Sequence, residues 1–142
     1  MENTMNKTIA AAIVALTVML AGSASAEVLP DGKYSFTNGP AVLNVTLTKV
    51  RDSGKNGIYK VQTFSDGRCM YTADSNEGTA IEHRKEATLW ELHKNSNGWN
   101  FMHIDNKANV VSNVDGKGTL QLRRNNGGGR GNADQLWQTG SR

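Results

Sequence analysis

The chain carries one short pattern twice, and that repetition limits its architecture more than any other feature. Asn56-Gly57-Ile58-Tyr59-Lys60-Val61 returns 41 residues later as Asn97-Gly98-Trp99-Asn100-Phe101-Met102, and Asp74 returns as Asp115 at the same offset. Gly78-Thr79 returns as Gly118-Thr119 after 40 residues, and Leu89-Trp90 as Leu136-Trp137 after 47, once a glycine-rich insertion has been passed. Leu47 precedes the first Asn-Gly pair much as Trp90 precedes the second. Repetition at this period means that one supersecondary unit is used again and that the copies bury their apolar faces against one another.

The unit is made of strands. No window after residue 27 sustains helical periodicity, whereas short alternating runs bounded by Gly, Asn, Asp and Ser recur throughout. They predict strands at 33–36, 42–50, 58–64, 68–73, 79–84, 88–94, 99–104, 109–114, 119–124 and 135–139. Asn56-Gly57 and Asn97-Gly98 read as the centres of type I′ hairpin turns, where both residues take a positive φ. Fifteen glycines against two prolines suit a chain of many tight turns. A period of 40 to 47 admits propeller blades and trefoil units alike, and length separates them, since fewer than three such units fit and a propeller needs about four. The fold class expected is all-β, with a small β-barrel as the alternative to a trefoil.

Residues 1–26 read as a secretory signal. Lys7 is followed by an apolar run from Ile9 to Ala21, and small residues stand at 24 and 26, which places cleavage after Ala26. Met5 makes a more ordinary start than Met1, because Glu2 puts an acid in the n-region. The run is shorter than the roughly 20 residues of a spanning helix, so no membrane span is expected. Ser23 stands where a lipoprotein signal would carry its acylated cysteine. A single domain over 27–142, secreted or periplasmic, follows. Cys69 is the one cysteine and can form no internal disulfide, so the core must hold unaided, with Cys69 read as a buried, inert thiol. The net charge of +3 is compatible with anionic glycans and too weak, in an exported chain, to argue for nucleic acid.

Gln135-Leu136-Trp137 resembles the Gln-x-Trp signature that closes each repeat of the ricin-type β-trefoil lectins, and Thr88-Leu89-Trp90 resembles a copy without its Gln. Asp66-Gly67-Arg68-Cys69-Met70-Tyr71-Thr72 is similar to that family's Gly-Lys-Cys-Leu-Asp-Val segment, and Gly78-Thr79 and Gly118-Thr119 to its Gly-Thr pair. The resemblance covers 45–139, with a degenerate third copy at 39–45. It implies a β-trefoil with a truncated first repeat, and a non-enzymatic carbohydrate-binding module, acting alone or as the recognition component of a larger complex. An exported protein-binding module such as a hydrolase inhibitor is the alternative. The family's sugar-binding aspartate is replaced at its three matching positions by Asn44, Tyr71 and Ser112.

Trp90 and Trp137 are expected in the core. Trp99 is expected either there or stacked on a sugar ring. Asp74 and Asp115 lie in Gly/Asn/Ser-rich turns, where they either cap the turn or touch ligand. The remaining polar cluster is Asn113, Asp115, Asn132, Asp134 and Gln135; with Trp99 and Asp74 it makes up the candidate ligand-binding set. Arg123, Arg124 and Arg130 flank Gly127-Gly128-Gly129, expected to be a mobile loop, and their guanidinium forks offer a match to phosphate or sulfate. His83, His93 and His103 fall ten apart without the short spacings of zinc motifs, and no metal or cofactor is expected. No Gly-x-Ser-x-Gly, His-Glu-x-x-His or phosphate-loop motif occurs, and Glu82, Glu86 and Glu91 read as solvent-facing, so no catalytic residue is assigned. The short first repeat should leave a strand edge uncovered, predicting a homodimer or a protein partner held through 27–50, with Tyr34, Phe36, Val42 and Leu43 at the contact.

Overall fold

In the computed structural model, which describes residues 28–63, 66–126 and 130–141, ten strands follow one another in the expected order. The signal segment, 1–26, lies outside the described residues. The strands are β1 (Gly32–Asn38), β2 (Ala41–Ser53), β3 (Asn56–Thr63), β4 (Cys69–Tyr71), β5 (Glu82–Arg84), β6 (Trp90–Asn95), β7 (Gly98–His103), β8 (Asn106–Asn113), β9 (Leu120–Arg124) and β10 (Gln138–Ser141). Each overlaps a predicted run. No α-helix occurs among the described residues; a 3-10 turn, Arg130–Gln135, fills the start of the last predicted strand, which therefore begins at Gln138.

Alternation places the core. On β1, Tyr34 and Phe36 turn inward, and on β2 Val45 and Leu47 do so, while the residues between them stay partly open. Phe36, Phe101 and Trp137 form an edge-to-face series, with centroids 4.9 Å and 6.2 Å apart at 77° and 79°. Trp90 and Trp137 are fully buried, as expected, and each indole N–H has a carbonyl to satisfy it: Trp90 donates to Met70 (3.4 Å) and Trp137 to Val111 (3.3 Å). These partners are related by the same offsets of 41 and 47 residues that relate the sequence copies.

The strands pair antiparallel in the order β10-β1-β2-β3-β6-β7-β8-β9, with β4 on β3 and β5 on β4. Two hydrogen bonds of 2.9 Å between Trp99 and Trp137 return β7 to the residue that leads into β10.

Three expectations are corrected. The first hairpin turns at Gly54-Lys55, between the paired Ser53 and Asn56, and the later one at Ser96-Asn97, between Asn95 and Gly98. Gly54 supplies the left-handed φ of 60° in the first. Gly57 is a glycine for want of room, and Gly98 for want of room as well as for its positive φ of 142°. A Cβ at Gly57 would lie 2.6 Å from the Tyr59 hydroxyl, and one at Gly98 2.7 Å from the Gln138 amide nitrogen and 3.1 Å from the Trp137 carbonyl.

The uncovered edge expected within 27–50 is also absent from the described residues. β10 pairs β1 from Tyr34↔Ser141 to Thr37↔Gln138, and β2 is paired on both sides. Tyr34 and Phe36 are buried and Leu43 packs partly against the core, so of the four expected contact residues only Val42, 53% exposed, faces outward. Finally, Glu91 is not solvent-facing. It is 4% exposed, accepts from the Asn56 amide at 2.8 Å and pairs with the Lys107 ammonium at 2.8 Å. Burial works to raise its pKa, but hydrogen bonds from Asn56, Lys107 and Ser53, with the Lys107 charge, outweigh that and hold it below the usual value.

Candidate functional site

Gln135 ends the 3-10 turn and is almost wholly buried. Its side-chain N–H donates to the Arg124 carbonyl (2.7 Å) while its oxygen accepts from the Asn126 backbone N–H (3.1 Å). The amide thus clamps the end of β9 to the 3-10 turn across the glycine-rich segment, whose residues 127–129 lie outside the described residues. From the preceding repeat, Glu77 accepts the Arg124 backbone N–H at 3.2 Å, and Gly78 and Thr79 bond to Leu122. These contacts bound a cleft of about 340 Å³ lined by Glu77, Val114, Arg123, Arg124, Asn126, Asp134 and Gln135. Asp134, Arg123 and Arg124 are exposed there.

A second cleft, of about 250 Å³, lies at the matching place in the middle repeat, lined by 72–75, 87–89 and 103–105. Thr88, the counterpart of Gln135, accepts the Thr72 backbone N–H at 2.9 Å. The Thr72 hydroxyl meets His103 Nε2 at 2.8 Å, and the Asp105 backbone N–H donates to His103 Nδ1 at 3.0 Å. That donor requires Nδ1 to be the unprotonated nitrogen, so Nε2 carries the proton and gives it to Thr72. Burial lowers the His103 pKa from the ordinary histidine value, against the smaller opposing pull of Asp105 and Asp74.

The candidate residues separate into those that line a cleft and those that build its walls. Asp134 and Gln135 come together with Arg123 and Arg124. Asn113 and Asp115 flank that cleft on either side of Val114. Asn113 donates to the Asn38 carbonyl (3.2 Å) and side-chain oxygen (3.3 Å) and accepts from the Gly118 N–H (2.8 Å), tying the end of β8 to the end of β1. Asp115 caps its turn: the Thr119 hydroxyl (2.6 Å), the Lys117 N–H (2.8 Å) and the Thr119 N–H (3.1 Å) all donate to it, and these bonds bring its pKa down to about 2. Asp74 does the same for its own turn, accepting from Thr79 and Asn76, and belongs to the middle cleft. Asn132 and Arg130 stand in the 3-10 turn, but their side chains lie outside the described residues.

Trp99 is not placed to stack on a sugar. It is 3% exposed, sealed in the core between its backbone bonds to Trp137 and the Lys94 ammonium 5.5 Å above its ring. Sequence reading missed Glu77 and, apart from Asp74, the middle cleft. The signal for the latter was present: adding the repeat offsets to Thr72 and Thr88 gives Asn113 and Gln135. Glu77 carries no such mark, since it reaches the site through pairing between repeats.

The three histidines keep separate company: His93 meets the Asn56 side chain at 3.1 Å, His103 meets Thr72, and His83 pairs in register with Met70. Among the described residues no group of three or more His, Cys, Asp or Glu is arranged to hold a metal ion, and no helix is long and apolar enough to cross a membrane.

No protein-family model matches the chain, and no curated protein does. Among solved structures the chain is similar to the crystal structure of the Rhizoctonia solani agglutinin, with a TM-score of 0.65 and 14% identity over 80% of this chain and 97% of that one. A likeness at that identity is a likeness of fold.

Proposed function

We propose that the chain is an exported, non-enzymatic carbohydrate-binding module built as a β-trefoil, and that the cleft at Gln135 is its sugar site. The observation that carries the reading is the recurrence of a small polar cleft at matching positions of two repeats, each lined by a polar residue, the half-buried Thr88 or the buried Gln135, two residues before a core tryptophan. A fold like that of an agglutinin supports the same reading. For the trefoil, support comes from the row β10-β1-β2-β3-β6-β7 with the Trp99–Trp137 bonds, which would close six strands into a ring, and from β4–β5 and β8–β9, which would cap it in two of three repeats. The first repeat has no such cap pair, because β1 turns straight into β2 at Gly39-Pro40.

The chemistry suits recognition. Asp134 offers an ionised acceptor for sugar hydroxyls, bonds of about twice the strength of neutral ones. The backbone around it is already tied down by Gln135 and Glu77, so little ordering remains for a ligand to impose. Export rests on residues 1–26, and expression in a secreting host should yield a mature chain beginning at Glu27 by mass. Purified 27–142 on a glycan array, followed by calorimetry with the saccharides retained, tests the reading; Asp134→Ala should weaken that binding roughly tenfold or more. An array with no retained saccharide overturns it.

A further inference from the structure

The two clefts share a position but not a charge. The middle cleft is lined by the acids Asp74 and Asp105 and by no Lys or Arg. Its C-terminal counterpart carries Arg123 and Arg124, consecutive residues at the end of β9 and both exposed. Elsewhere the basic side chains Lys49, Arg68, Arg84 and Lys107 pair with Asp52, Asp66, Glu82 and Glu91. Among the described residues neither Arg123 nor Arg124 makes such an ion pair, although two acids line the same cleft. Glu77 spends one of its oxygens on the Arg124 backbone N–H, which fixes the strand rather than neutralising either guanidinium.

Building on the carbohydrate-binding reading, we propose that the C-terminal cleft selects an acidic saccharide, one whose ring bears a carboxylate or sulfate, with Arg123 and Arg124 taking the anion and Asp134 the hydroxyls. A guanidinium is always charged and presents parallel N–H donors that match a planar carboxylate or two sulfate oxygens, which makes it a better anion receptor than an ammonium. The acid in the same cleft does not defeat this. Asp134 repels an anion placed against it, but on a sugar ring the anionic substituent and the hydroxyls occupy different edges, so a cleft with cations and an acid reads orientation as well as charge. The middle cleft, acidic and without a cation, repels the same ligand. The two repeats are therefore divergent copies, and of these two clefts the C-terminal one is anion-selective.

The test uses the mature chain with three probes of matched length: an oligogalacturonate, a sulfated galactan oligomer and the neutral galactan oligomer. At low salt at least one acidic probe should bind roughly tenfold or more tightly than the neutral one, and the difference should shrink as ionic strength shortens the screening length. Whichever acidic probe binds identifies the anion. Backbone amide shifts on titration should move at Arg123, Asn126 and Asp134 and stay still at Asp74 and His103. Arg123→Ala/Arg124→Ala should remove the preference for acid, while the thermal midpoint stays unchanged because both side chains are exposed. Equal affinity for neutral and acidic probes, or a preference that survives loss of both arginines, overturns the proposal and leaves carbohydrate binding standing. Failure of every probe and of the wider array removes both.

Discussion

Two buried polar side chains carry more of this molecule than their number suggests. Gln135 meets two backbone groups at once, the Arg124 carbonyl and the Asn126 N–H. Replacing it with alanine removes both hydrogen bonds, at a cost of about 1 to 3 kcal/mol, measurable by urea unfolding. The same variant should lose saccharide binding beyond the loss of stability, because the clamp across the glycine-rich segment opens. His103 makes the fold sensitive to acid. Its folded pKa lies below the 6.5 of the free side chain, so as pH falls past that value the unfolded chain takes up a proton that the folded one refuses. Stability is thus full above pH 6.5 and declines below it, until pH reaches the folded pKa. Thermal midpoints measured from pH 8 downward should show this fall, and His103→Gln should abolish the part that begins near 6.5. A second decline belongs to Glu91, whose lowered pKa contributes stability above 4.5 that is lost as pH drops further.

At the level of strands and turns, glycine serves two different ends here. Gly54 stands in open space with φ 60°, so alanine there costs only the left-handed penalty, about 1 to 2 kcal/mol. Gly98 has both a positive φ and a neighbour in the way, the Trp137 backbone that joins β7 to the approach of β10. Gly98→Ala should therefore add an overpacking cost of about 1 to 3 kcal/mol to the conformational one, and urea unfolding should rank it well below Gly54→Ala. This distinction explains why the strands were legible in the sequence and their turns were not. Inward-facing Tyr34, Phe36, Val45 and Leu47 announce themselves by alternation, a local property. An Asn-Gly pair announces a turn only if glycine's freedom of φ is what the site requires, and at Gly57 the requirement is room for the Tyr59 ring. The site divides likewise. Gln135 was visible from the Gln-x-Trp pattern and Asp134 from the polar cluster beside it, but Glu77 reaches Arg124 across a register between repeats that no local pattern encodes.

At the scale of the whole molecule, β10 pairs with β1 from Tyr34 to Thr37. The edge expected to seek another chain is occupied by the last strand of its own. Deleting 138–142 should uncover the Tyr34 to Thr37 edge and make the chain associate more than the intact one, which light scattering would show as growth in mass with concentration. An unchanged mass and unfolding midpoint would mean that β10 adds nothing to closure.

That pairing also sets an order of events during synthesis. β1 leaves the ribosome about a hundred residues before its partner, and at roughly 5 to 20 residues per second it waits five to twenty seconds for the strand that covers it. Through that interval the Tyr34 to Thr37 edge lies open, and a second nascent chain close by could pair with it before β10 arrives.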